Sequence, residues 1–339
     1  MGFKLSVNTF NEALKEITKD YKIYAPKTFE GMGAFSDTDV IRYGEITDIN
    51  EVVFEQKSSF SFKEVIMPIT QTLFYFTEDK WQEPKIDAKD ILVLLRSCDL
   101  HAVKRMDEIY LNNGAIDPYY KALRDKTKFI LMGCEHSFDN CFCVSMGTNT
   151  TDEHDAYIKK DEDYVYFDAK NSGLVSYFTH KEKEVVELEP EFVTQNEVKV
   201  KIPDNLNQDI MNSKMWEEYS GRCIACGRCN FVCPTCTCFS MQDIFYKDNP
   251  NAGERRRVWA SCQVDGYTDI AGGMQFRKTK GERMRFKVLH KVYDYKKRFG
   301  YHMCVGCGRC DDICPEYISF SNCINKLENG MKEVASNER

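Results

Sequence analysis

The strongest constraint on this chain is a cysteine run that occurs twice. GRCIACGRCNFVCP begins at Gly221 and HMCVGCGRCDDICP at His302, each spelling C-x2-C-x2-C-x3-C-P. In all, sixteen cysteines stand among 339 residues that hold only nine prolines and nineteen glycines, so cysteine is enriched while loop formers are not. The N-terminus, MGFKLSVNTF, lacks the apolar core and cleavage site of a secretory signal. The longest apolar runs, such as ILVLL from Ile91, fall far short of the roughly 20 residues of a membrane span. A cytoplasmic setting is expected, and in a reducing cytosol thiols are kept for metals and redox chemistry rather than for disulfides.

Three closely spaced cysteines let one curled loop reach three corners of a cubic iron–sulfur cluster, and the fourth cysteine of such a run ligates the neighbouring cluster. Gly227, Gly306 and Gly308 suit the curl because glycine tolerates positive φ, and Pro234 and Pro315 turn the chain away afterwards. The expectation is therefore two 4Fe-4S clusters with crossed ligation. One takes Cys223, Cys226, Cys229 and Cys314, and the other takes Cys304, Cys307, Cys310 and Cys233. Zinc is the competing reading, but zinc ribbons usually present paired C-x2-C units set apart by a spacer.

About seventy residues separate Cys233 from Cys304, where a small ferredoxin has a short connection. That insertion adds Cys236, Cys238 and Cys262, read as small buried residues beside the clusters. Cys323 has no assigned role. Residues 253–299 carry thirteen Lys or Arg against five Asp or Glu, a local +8 in a chain of net −7. Such a stretch can dock an acidic partner, shield negatively charged clusters or form a solvated face. No nucleic-acid recognition module accompanies it.

A second constellation comprises Cys98 in RSCDLHAV and Cys134, Cys141 and Cys143 in GCEHSFDNCFC. Four thiols are the number a third cluster takes, and Cys98 and Cys134 each follow the carboxyl end of an apolar strand, ILVLLR and KFILMG, where open α/β sheets place ligands. Structural thiols or zinc are the alternative. His101 and His136 lie nearby as candidate donors.

The fold expected is α+β: a mixed α/β domain over residues 1–200, followed by a ferredoxin-like dicluster domain over 201–339 with its long insertion. An amphipathic helix opens the chain, with Thr9 and Glu12 as a capping box and Phe10, Ala13, Leu14 and Ile17 on its apolar face. Strands are expected at VIRYGEI, VIMPIT, TLFYF, YVYFDA and EVKVKI, those after Asp152 forming a peripheral sheet and linker. There is no G-x-x-x-x-G-K-[ST], no complete G-x-G-x-x-G after a strand, no G-x-S-x-G and no H-E-x-x-H. Substrate chemistry is expected elsewhere, and no catalytic residue is assigned.

Taken together, RSCDLHAV, CFCVSMG, CPTCTCF, ASCQVDG, AGGMQFRKTKGERMRFKVLHK and HMCVGCGRCDDICPEYISF resemble a family of dicluster iron–sulfur electron-transfer subunits over essentially the full chain. Within it the likeness is to the A subunits of anaerobic sulfite reductases, and β subunits of cytoplasmic NiFe sulfhydrogenases share much of the pattern. The sulfite reductase resemblance implies two partners: a flavin- and 2Fe-2S-containing subunit that oxidises NADH, and a sirohaem subunit that reduces sulfite to sulfide. This chain would relay electrons between them. A zinc-stabilised scaffold is the reading from a different class.

Overall fold

The computed structural model describes residues 2–35 and 37–337. Its centre is an eight-stranded mixed sheet built from β1 (Gly2–Ser6), β2 (Tyr21–Phe29), β3 (Val40–Glu45), β6 (Asp90–Leu95), β7 (Thr127–Met132), β8 (Ala156–Lys160), β9 (Tyr164–Ala169) and β10 (Glu184–Val186). The spatial order is β10-β1-β9-β8-β7-β6-β2-β3. Strands β2, β6, β7 and β8 run parallel, while the outer pairings are antiparallel.

DILVLL and TKFILM are near-continuous apolar runs because both of their faces are covered, as buried parallel strands require. Leu92, Leu94, Ile130 and Met132 face one core, shared with Phe10, Ala13, Leu14 and Ile17 of the helix Val7–Asp20. Val93, Leu95, Phe129 and Leu131 face the other, shared with Leu100, Val103 and Met106 of the helix Ser97–Tyr110. The period of two in the strands thus divides the domain into two layers around one sheet.

A second sheet, ordered β11-β12-β4-β5, joins β4 (Thr70–Phe76) and β5 (Trp81–Gln82) to the hairpin of β11 (Phe239–Tyr246) and β12 (Asn249–Trp259). Thr72 of β4 lies opposite Arg256 of β12, so this sheet draws strands from both sides of residue 200. After the hairpin the insertion holds a short two-stranded ribbon, Asp269–Ile270 with Met274–Gln275, and then turns helical. Thr279 and Glu282 form a reciprocal capping box that starts the helix Lys280–Leu289. A π-helical turn, His290–Asp294, follows, and the last turn ends at Gly300 with φ +87°.

Four sequence expectations are corrected. The first helix is capped by Ser6, whose Oγ accepts from the Thr9 amide, rather than by Thr9. VIMPIT is no strand: Lys63–Ile66 is a helical turn that stops ahead of Pro68, which disfavours helical geometry in the residue before it. EVKVKI has no strand among the described residues. Its alternating Val198, Val200 and Ile202 pack on the C-terminal core without a neighbouring strand to pair with. Finally, β8 and β9 are not peripheral, because Ala156, Ile158, Val165 and Phe167 complete the main core.

Candidate iron–sulfur sites

Twelve of the sixteen cysteines line three hollows. The first, about 480 Å³ and partly open to solvent, is walled by Cys223, Cys226, Cys229 and Cys314, with Cys310 on its inner side. Its loop curls through Ala225 at φ +59° and Gly227 at φ +74° before the short helix Arg228–Phe231. A Cβ on Gly227 would come within 2.7 Å of Val264. The curl turns the Ala225 amide onto the Cys223 sulfur at 3.3 Å, and the Ile318 amide reaches the Cys314 sulfur at the same distance. Cys226 is the one exposed cysteine among the described residues.

The second hollow, about 320 Å³, is lined by Cys233, Cys304, Cys307 and Cys310. Gly306 and Gly308 adopt φ of +66° and +71°, and residues 140–143 press on both. An added Cβ would lie 2.6 Å from the Phe142 carbonyl and 2.4 Å from the Asn140 carbonyl oxygen. The Phe142 amide donates to the Gly306 carbonyl at 2.7 Å, which stitches the loop of the third hollow to that of the second.

That third hollow, about 340 Å³, is lined by Cys98, Cys134, Cys141 and Cys143. Cys98 is the second residue of the helix after β6 and Cys134 follows β7, so two ligand candidates come from the carboxyl ends of adjacent parallel strands. Arg96 donates to the Cys134 sulfur at 3.3 Å and Lys57 to the Cys141 sulfur at 3.8 Å. The Asn196 amide lies 3.7 Å from the Cys143 sulfur. His136 lines this hollow, whereas His101 contacts the Thr150 carbonyl at 2.8 Å and does not line it.

Buried cations accompany the thiols. Lys287 lines both ferredoxin-type hollows and Lys291 lines the second, at 3% and 2% exposure. Burial works against the charge on Lys287, but Cys229, Cys310 and Cys236 outweigh it and hold its pKa well above the usual lysine value. Lys63 is pulled down to about 8 by burial, against the opposing influence of Cys236 and Cys233. Arg309, at 2% exposure, forms a bidentate pair with the fully buried Asp99 at 2.7 and 2.9 Å, on the wall of the third hollow. Burial in turn pushes the Cys304 and Cys143 thiols up to about 12 and Cys307 up to about 11, so metal binding there must displace protons.

The donor set fits iron–sulfur clusters. Each hollow presents at least four sulfurs, backbone or side-chain N–H groups aimed at sulfur, and nearby cations for an anionic guest. Among the described residues, no group of three or more His, Cys, Asp or Glu side chains is arranged to hold a single metal ion.

The remaining thiols lie beside these hollows. Cys238 and Cys262 share a hydrogen bond that lowers the Cys262 pKa, and the Asn230 amide reaches the Cys262 sulfur at 3.1 Å. Cys236 contacts Cys233 in the same way, and Cys323 is fully buried against Tyr219. Sequence reasoning missed the cation walls as such. The signal was the four-residue spacing of Arg283, Lys287 and Lys291, which puts all three on one helix face. That face is turned inward, with all three buried.

Residues 222–318 match the family described as "4Fe-4S dicluster domain", a span that includes all eight cysteines of the repeated run. The match covers the C-terminal part of the chain, the part that contributes the cysteines of the first and second hollows. Along nearly its whole length the chain is also similar to the sulfhydrogenase 2 subunit beta of Pyrococcus furiosus, 26% identical over 97% of this chain and 98% of that one. No solved structure matches the chain. No helix among the described residues is long and apolar enough to cross a membrane.

Proposed function

We propose that this chain is an electron-transfer subunit of an oxidoreductase complex. Cys223, Cys226, Cys229 and Cys314 would hold one 4Fe-4S cluster, and Cys304, Cys307, Cys310 and Cys233 a second. Cys98, Cys134, Cys141 and Cys143 would hold a third. The observation that carries this reading is the grouping of the twelve thiols into three hollows of four or five sulfurs, Cys310 being shared by two, with each fourth cysteine of the repeated run lining the hollow of the other run. Bound clusters supply one-electron exchange. The chain's own residues orient the sulfurs, exclude water around the second set and supply compensating charge. Residues 1–200 and 201–339 are the proposed units, joined through the β4–β12 pairing.

The complex is read in two ways. The motif pattern favours an anaerobic sulfite reductase, with an NADH-oxidising flavin subunit and a sirohaem subunit as partners. The full-length similarity to a sulfhydrogenase β subunit favours a hydrogenase complex. Anaerobic purification of the native assembly separates them, since sirohaem in the co-purifying chains supports the first and nickel supports the second. Iron and acid-labile sulfide analysis tests the cluster reading itself. About twelve irons per chain is expected, about eight would remove the third site, and an iron-free, zinc-loaded protein would sink the proposal.

A further inference from the structure

The helix Lys280–Leu289 and the π-helical turn after it place two ammonium groups four residues apart, and the two face overlapping but unequal sets of thiols. Lys287 stands in the shared wall of the first and second hollows, together with Cys310 and Phe320, and its Nζ lies 5.1 Å from the Phe320 ring centroid. Lys291 lines the second hollow only. Its Nζ donates to Thr235 Oγ1 at 2.7 Å, and that hydroxyl lies 3.4 Å from the Cys233 sulfur.

The buried arginines nearby are neutralised by carboxylates, Arg309 by Asp99 and Arg283 by Asp265. Lys287 and Lys291 have no such pairing among the described residues. A cluster gains negative charge on reduction, so an unneutralised buried cation stabilises the reduced form and raises the potential. In a poorly screened interior that influence is strong but falls off with distance.

We infer that Lys287 sets the reduction potentials of both ferredoxin-type clusters at once, whereas Lys291 sets that of the Cys304 cluster alone. This rests on the reading of the hollows as cluster sites, and the iron content of the unmutated protein tests that reading separately. The shared lysine makes the two centres respond together to one side chain, and the second lysine lets one of them be adjusted apart from the other.

The test is a dye-mediated potentiometric titration of the anaerobically purified full chain, followed by electron paramagnetic resonance. Cys226→Ser, at the surface, marks which signal belongs to the first hollow. Lys287→Met is expected to move both ferredoxin-type midpoints to lower potential, with Lys287→Arg keeping them near the starting values. Lys291→Met is expected to move only the Cys304 cluster. Unchanged midpoints in Lys287→Met at full iron content would overturn the inference, as would movement of a single signal there or equal movement of both in Lys291→Met. If Lys287→Met loses iron, Lys287→Gln replaces it. Iron loss in Gln, Met and Arg variants alike shows a structural role for this lysine and also overturns the inference.

Discussion

The two ferredoxin-type hollows and the third hollow each present at least four thiols but are assembled in opposite ways. In the former, each triad comes from one seven-residue stretch, curled by residues at positive φ, and a single helix face supplies Lys287 and Lys291. In the latter, the sulfurs come from the ends of two parallel strands and from a loop packed on Gly306, and the cations arrive from three separate places: Lys57, Arg96 and Arg309. A local motif therefore supplies three neighbouring ligands and leaves only the fourth to tertiary folding, whereas the third set exists only once the main sheet and the C-terminal loop have met.

The largest expected effects break the crossing. Replacing Cys314 with Ala should cost about four irons and abolish the signal of the hollow containing exposed Cys226, while Cys233→Ala should remove the signal of the Cys304 hollow. Loss confined to the same-run hollow in either variant would refute the crossed assignment. Cys134→Ala should lower iron from about twelve to about eight and leave both ferredoxin-type signals in place. Retention of about twelve irons would show that the third ligand set is wrong.

Arg309→Met sharpens the contrast without touching a thiol. It leaves Asp99 buried without its cation, and breaking such a pair costs about 3–5 kcal/mol, read as a lower denaturation midpoint. Because Arg309 lines only the third hollow, that hollow's signal should broaden or disappear while the signal marked by Cys226 persists.

The smallest effect is a pH dependence in the helical insertion. Burial, aided by Lys291 and Arg277, lowers the His290 pKa from 6.5 to about 4. The unfolded chain therefore binds this proton first on acidification. Stability is fully present above about 6.5 and is lost between about 6.5 and about 4, by up to about 3 kcal/mol. His290→Gln should flatten that part of the stability-versus-pH curve; an unaltered slope would assign it to other groups.

Much of this was legible in the sequence because the relevant physics is local. The repeated run marked the eight cysteines that line two of the hollows, and ILVLLR and KFILMG marked apolar strands running up to Cys98 and Cys134. The charged stretch from Asp152 to Val200 was misjudged because alternation in β8 and β9 is shallow, and only the neighbouring strands show that Ala156 and Val165 are core residues. Val198 and Val200 failed in the reverse sense, since their alternation serves packing without a ladder. The basic insertion was legible as charge but not as direction. Its cations on the Arg283-Lys287-Lys291 face point inward, a fact set by what the helix packs against.

The pairing of β4 with β12 bears on biogenesis. Thr72 donates to Glu254 at 2.6 Å, a contact spanning 182 positions of the chain. During synthesis β4 can pair with β5 at once, but β12, its other neighbour, exists only after most of the polypeptide has left the ribosome, and contacts of such long sequence separation form slowly. Until then Phe76 lacks its edge-on ring partner Phe245 of β11, so nascent chains of this protein should depend on holding factors.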